Sequence, residues 1–115
     1  MPNVNKNTIR HNIKKLIDNK IYDIKSAKPL ATWENGNDDE NFHYLGETLY
    51  QTNKGNMFLH ARGGALTHLA SRSGTSTGRG EEIYPLNLEQ ALEWCSRTDN
   101  AAAAMEHFSK SLSEA

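Results

Sequence analysis

The chain holds one cysteine, Cys95, so no internal disulfide can staple it and its stability must come from packing. No apolar run approaches the roughly 20 residues of a membrane-spanning helix. The opening MPNVNKNTIRHN lacks the apolar segment of a secretory signal. These absences lead to the expectation of a soluble cytoplasmic protein with no membrane partner. No H-x-x-x-H or C-x-x-C spacing is present, so no metal is expected. Asp38-Asp39-Glu40 lacks the alternating ligands and trailing Glu of a calcium loop. The stretch Ser73–Gly80, SGTSTGRG, has the composition of a phosphate loop but no Gly-Lys-Ser/Thr ending, which excludes nucleotide hydrolysis of that kind. No cofactor is expected.

What is present suits one domain of 115 residues with a modest core and a very polar surface. Mean hydropathy is −0.74, yet a charged share of 23% is ordinary and argues against wholesale disorder. Net charge is −1, but it is segregated. Residues 1–28 carry +5, residues 29–60 carry −4, residues 61–80 carry +3 and residues 81–115 carry −5. Such blocks either steer a charged partner or neutralise one another within the fold.

Along the chain, residues 1–7 read as a flexible lead. Asn7 or Thr8 can cap a helix over Thr8–Asn19, with Ile9, Ile13, Leu16 and Ile17 as its apolar stripe. Arg10, His11, Lys14 and Lys15 lie off that stripe and would form a basic face. Lys20–Ile24 and Pro29–Glu34 read as short strands, rich in β-branched and aromatic residues. A turn-rich loop spans Asn35–Asn41, and Phe42–Thr52 is the next strand, with Gly46 marking a bulge. Ala65–Ser71 suits a helical turn or two, and Ser73–Gly80 a flexible loop. Glu82–Leu86 adds a short strand. Asn87 with Gln90 forms a capping-box pattern ahead of a helix through about Arg97. Cys95 falls on the apolar face of that helix, as a small buried residue. A last helix is predicted over Asn100–Leu112, docking on the body or pairing with a second copy.

The centre of the chain, Glu47–Gly64, reads as one hairpin: Glu47–Thr52, a turn at Asn53-Lys54-Gly55-Asn56, and Met57–Arg62. Either a two-residue Lys54-Gly55 turn or a four-residue loop gives one register. In it Thr52, Tyr50 and Thr48 face Met57, Leu59 and Ala61 on the core side. Gln51, Leu49 and Glu47 face Phe58, His60 and Arg62 on the other.

The segment from 19 to 97 resembles a family of small proteins carried by bacterial conjugative elements, plasmids and phages. The pattern runs Asn19-Lys20-Ile21-Tyr22-Asp23-Ile24-Lys25-Ser26-Ala27, then Glu47-Thr48-Leu49-Tyr50-Gln51-Thr52 and Lys54-Gly55-Asn56-Met57-Phe58-Leu59-His60. It closes with Gly63-Gly64, Glu82-Ile83-Tyr84-Pro85-Leu86 and Glu89-Gln90-Ala91-Leu92-Glu93-Trp94. One pair of positions departs: the relatives tend to carry a Gly-acid pair between His60 and Gly63, where this chain has Ala61-Arg62. The resemblance implies mobile-element cargo, a class that includes anti-CRISPR inhibitors of host defence. It brings no catalytic residues with it.

Two constellations compete for the function. His43, His60 and His68 with Glu47 would suit zinc or acid–base chemistry if the fold gathered them. Arg62, Arg72 and Arg79 would form a basic rim around the Gly-rich loop, suited to phosphate or carboxylate. The competing reading is that Arg62 pairs with Glu47 across the hairpin while Arg72 and Arg79 are solvated loop charges. The expectation is an α+β domain: an antiparallel sheet of about four strands, one N-terminal helix, and one or two C-terminal helices packed on one face. Its expected function is non-enzymatic docking on a protein or ribonucleoprotein target, inhibiting a host defence system. The contact residues would be Arg62, Arg72, Arg79, Lys14 and Lys15. The alternative is a nucleic-acid-binding regulator using the basic N-terminal helix, although a pI near 6.5 lacks the usual basic signature.

Overall fold

A computed structural model describes residues 13–115, and they open as a β-hairpin rather than a helix. Strands β1 (Lys14–Ile17) and β2 (Lys20–Asp23) pair antiparallel, with Leu16 opposite Ile21. The helix expected over Thr8–Asn19 is therefore not formed across Lys14–Asn19. Its first residues, like the lead at 1–7, lie outside the described residues. The turn decides the matter. Asp18 and Asn19 both sit in the left-handed region, at φ 51° and 65°, as a two-residue type I′ hairpin turn requires. Ile13 and Ile17 are four apart, a spacing that fits a strand's period of two as well as a helix. Both pack inward, while Leu16, which a helical stripe would bury, is 71% exposed.

The main sheet has four antiparallel strands: β3 (Lys28–Glu34), β4 (Leu45–Gln51), β5 (Met57–Gly63) and β8 (Gly80–Leu86), in the spatial order β3-β4-β5-β8. Between β5 and β8 the chain makes a small separate ribbon, β6 (Ser71–Ser73) and β7 (Ser76–Gly78). Thus the Gly/Ser/Thr stretch that composition marks as a loop is partly paired. Two helices follow, α1 (Leu88–Arg97) and α2 (Ala101–His107), with a 3-10 turn at Ser109–Ser111.

The β4–β5 hairpin forms, but its register is one step from the expected one. Leu49 faces Leu59, Thr48 faces His60, and Arg62 faces Gly46. The cause is the loop. The Thr52 N–H donates to the Asn56 carbonyl (2.8 Å) and the Gly55 N–H to the Thr52 carbonyl (2.9 Å), enclosing Asn53-Lys54-Gly55. A three-residue loop of this kind needs a left-handed residue at its third position, and Gly55 has φ +92°. Side chains alternate along a strand, so the slip exchanges partners on both faces. Gly55→Ala is expected to cost about 1–2 kcal/mol, since alanine pays for that φ. Thermal unfolding reads the loss, and an unchanged transition would show that the turn does not hold the register.

Each face of the sheet carries its own core. On one, Leu49, Met57 and Leu59 meet Ala91, Trp94 and Cys95 of α1 and Ala104 and Phe108 at the C-terminal end. Helix α1 starts where local chemistry dictates: the Asn87 side chain accepts from the Gln90 N–H, and the Gln90 side chain accepts from the Asn87 N–H, both at 2.8 Å. It ends with Asp99 left-handed, at φ 61°, and the Asn100 N–H on the Cys95 carbonyl (2.7 Å). The last helix is shorter than expected, stopping at His107, and docks on the body through Ala104 and Phe108. On the opposite face, hairpin β1–β2 covers Tyr50, Phe58 and Ile83. Tyr50 stacks on Phe58 (5.2 Å, 12°) and Tyr22 meets it edge-on (5.5 Å, 75°).

Both outer edges of the sheet are blunted. On β8, Pro85 has no N–H, so its pair with Phe58 must be of the non-hydrogen-bonded type, and by alternation Ile83 turns its N–H outward. That N–H is taken by the carboxylate of Glu82 (3.1 Å). On β3, the Thr32 carbonyl accepts from the Asn100 side chain (3.2 Å). Such devices suppress edge-to-edge pairing. Among the described residues no helix is long and apolar enough to cross a membrane.

Candidate functional site

The face that carries hairpin β1–β2 continues past the aromatic cluster into a polar region. Its centre is Arg62, and Gly46 makes room for it. A Cβ at Gly46 would collide with the Tyr44 hydroxyl and the Arg62 guanidinium. Tyr44 folds back over this gap and donates to Glu34 (2.9 Å). One Arg62 nitrogen donates to the Thr48 hydroxyl (3.1 Å) and the His60 carbonyl (3.4 Å); the other donates to the Tyr44 hydroxyl (3.4 Å). Burial pushes the Tyr44 phenol above its ordinary pKa; Arg62 opposes this and Glu34 adds to it. Beside this network, Nε2 of His60 lies 2.6 Å from Glu81 Oε1. His60 is 2% exposed.

The register thus dissolves the histidine site that the sequence suggests. Glu47 lies on the helix-facing side, where its carboxylate accepts from the Trp94 indole (2.7 Å). His60 and Arg62 lie on the other side, so neither the His60–Glu47 pair nor the Glu47–Arg62 pair exists. Among the described residues no three His, Cys, Asp or Glu side chains are grouped to hold a metal. A cavity of about 40 Å³ sits against Tyr44, Arg62, Gly63, Gly64, Arg79 and Glu81. It has room for a few waters at most; two wider depressions open on the surface, one of about 500 Å³ against His68, Ser71, Arg79, Glu82 and Tyr84 and one of about 430 Å³ against Tyr22, Ser26, Asn53 and Asn56. Cys95 is fully buried, and burial raises its thiol pKa, which suppresses thiolate chemistry.

The five cationic contact candidates separate by role. Arg62 is consumed by the scaffold. Arg79 donates to the Asp39 carbonyl (2.7 Å), with the Glu40 carboxylate at 3.9 Å, and ties the foot of the ribbon to the 38–40 loop. Lys15, on β1, pairs with Glu82 (3.0 Å) and holds that carboxyl below its usual pKa, with help from the Ile83 N–H. Lys14 lies 3.9 Å from Asp23 on the outside of the hairpin. Arg72, on β6, makes neither a side-chain hydrogen bond nor a salt bridge with any described residue, and every residue from Ser71 to Arg79 is exposed. Arg62 and Arg79 share the cavity wall, but the three arginines do not form one open rim. Sequence reasoning missed Tyr44 and Thr48 as partners of Arg62, Glu34 as the partner of Tyr44, and Glu81 as the partner of His60. Gly46, a glycine inside a strand pattern, was the signal for a close approach there.

No protein-family model, curated protein or solved structure matches the chain.

Proposed function

We propose that this chain is a non-enzymatic docking protein of a mobile element, which inhibits a host defence system of the CRISPR type by binding a protein or ribonucleoprotein. The observation that carries the docking reading is the β6–β7 ribbon. It is a paired, fully exposed element with an arginine, Arg72, whose side chain pairs with no described residue, raised on a foot that Arg79 laces to the neighbouring loop. A paired ribbon loses less conformational entropy on binding than a free loop. Arg72 supplies the planar, multidentate charge that suits carboxylate or phosphate. The blunted sheet edges leave strand addition a poor route to a partner. His60 is sealed within the fold, which keeps a substrate from its imidazole. The mobile-element setting and the defence target come from the resemblance over residues 19–97. The nucleic-acid alternative has lost the N-terminal helix across Lys14–Asn19 on which it stood.

The test is plasmid protection. Cells with an active CRISPR system that targets a plasmid are transformed with it while expressing the chain. Wild type is expected to restore transformation and to co-purify with the effector complex. Arg72→Glu should lose both while keeping its thermal transition. Protection that survives the charge reversal would remove the ribbon from the contact, and failure of wild type across effector types would remove the defence reading.

A further inference from the structure

The ladder of β4 and β5 does not stop where the sheet ends. The Gly64 N–H donates to the Tyr44 carbonyl (3.0 Å), and the Leu66 N–H to the Phe42 carbonyl (2.9 Å). Both bonds keep the β4–β5 register, so Phe42 and Leu66 sit opposite one another just beyond the strands. They are 64% and 62% exposed. The other two phenylalanines, Phe58 and Phe108, are 0% and 7% exposed, so Phe42 is the exposed exception among the three.

The loops that present this pair are cross-linked by their own hydrogen bonds. Asn41 binds the Asp38 carbonyl (2.8 Å), Tyr44 binds the Asn41 carbonyl (3.1 Å), and the His43 N–H reaches the Asn41 side chain (2.7 Å). On the other side, the Thr67 hydroxyl donates to the Gly64 carbonyl (2.8 Å) and accepts from the Leu69 N–H (3.2 Å). Ordering costs are thus largely met before any partner arrives. An exposed aromatic and an aliphatic side chain on a rigid base, with an arginine on the ribbon that rises from the same end of the sheet, is the composition of interface hot spots.

We infer that Phe42 and Leu66 are the apolar anchor of a protein-docking surface, whose partner offers an apolar cleft flanked by a carboxylate for Arg72. This rests on the docking function proposed above and names the partner's chemistry. Charge favours protein over nucleic acid. Asp38, Asp39 and Glu40 stand just before Phe42, and Arg79 is turned toward them. A phosphate backbone would meet the exposed Asp38 carboxylate, which pairs with no described cation, on its way to Phe42.

A phage-displayed random peptide library selected on the immobilised wild-type chain tests this without knowledge of the target. The enriched peptides are expected to combine aromatic or aliphatic residues with Asp or Glu. In NMR titrations they should shift the amides of Phe42, Leu66 and Arg72. The double substitution Phe42→Ser with Leu66→Ser should weaken them by about tenfold or more. Leu16→Ser with Ile21→Ser, at an equally exposed pair on hairpin β1–β2, should leave them unchanged. No enrichment, shifts that map to the β1–β2 hairpin, or the same amides shifted by a single-stranded RNA oligonucleotide would each overturn the inference. The wild-type mapping stands even if the serine variant unfolds. Plasmid protection lost in Arg72→Glu but retained in Phe42→Ser/Leu66→Ser would leave the docking function in place and reject this anchor.

Discussion

Trp94→Ala is expected to lower the unfolding free energy by about 3–5 kcal/mol, the range for removing a buried tryptophan and leaving a cavity. Trp94 is 1% exposed and sits among Leu49, Leu59, Ala91 and Cys95 in the layer between sheet and helices. The alanine variant also deprives the Glu47 carboxylate of its indole donor, and a partly buried carboxylate that loses a hydrogen bond adds to the cost. A domain of this size has only about 5–15 kcal/mol in hand, so the loss is a large fraction of the whole. Urea unfolding followed by circular dichroism measures it. The midpoint should fall by about 2 M or more, given slopes near 1–1.5 kcal/mol/M for a small domain. A loss under about 1 kcal/mol would mean that α1 is not held to the sheet by this packing.

The second large effect separates two arginines that look alike in sequence. Arg62→Met should cost about 2–3 kcal/mol, because it strips donors from the Thr48 hydroxyl, the His60 carbonyl and the Tyr44 hydroxyl at once. Arg72→Met should change stability by no more than about 0.5 kcal/mol, as exposed substitutions usually do. Thermal unfolding of the pair is decisive: Arg62→Met should fall by about 10 °C and Arg72→Met by a degree or two. Equal shifts would mean that Arg62 is not the hub of the polar network. The contrast also guards functional work. An Arg62 variant that fails to bind reports on folding, whereas an Arg72 variant that fails reports on contact.

The α+β class, the four-stranded antiparallel sheet and the two C-terminal helices follow from patterning, and the structure bears these out. The capping box at Asn87 and Gln90 was legible because both partners lie within one helical turn. The β4–β5 hairpin was legible as an element but not in its register. A two-residue and a four-residue turn imply the same pairing, and only the three-residue loop closed by Gly55 shifts it. The N-terminal helix was misread for a similar reason: Ile13 and Ile17 satisfy two periodicities, and Asp18-Asn19 chose the strand by adopting a left-handed turn. The polar network had no local signature. Glu34, Tyr44, Arg62 and Glu81 come from four separate stretches, and their meeting depends on a register that one loop residue sets.

By itself, then, the amino-acid order determined what local pattern and hydrogen bonds within a few residues can decide: the N-cap of α1, the strand segments of the main sheet, the presence of two C-terminal helices, and the lack of any disulfide, but not the β6–β7 ribbon that stands where a helical turn and a loop were expected. Tertiary structure alone decided which charges remain available. The segregated blocks seen along the chain are partly spent once folded, Lys15 on Glu82, Arg79 on the 38–40 loop, and Arg62 within the sheet face. The reason is physical: an ion pair or a side-chain hydrogen bond needs only proximity in space, which sequence separation does not encode. Arg72 makes no salt bridge among the described residues because the ribbon that carries it pairs with itself and stands fully exposed.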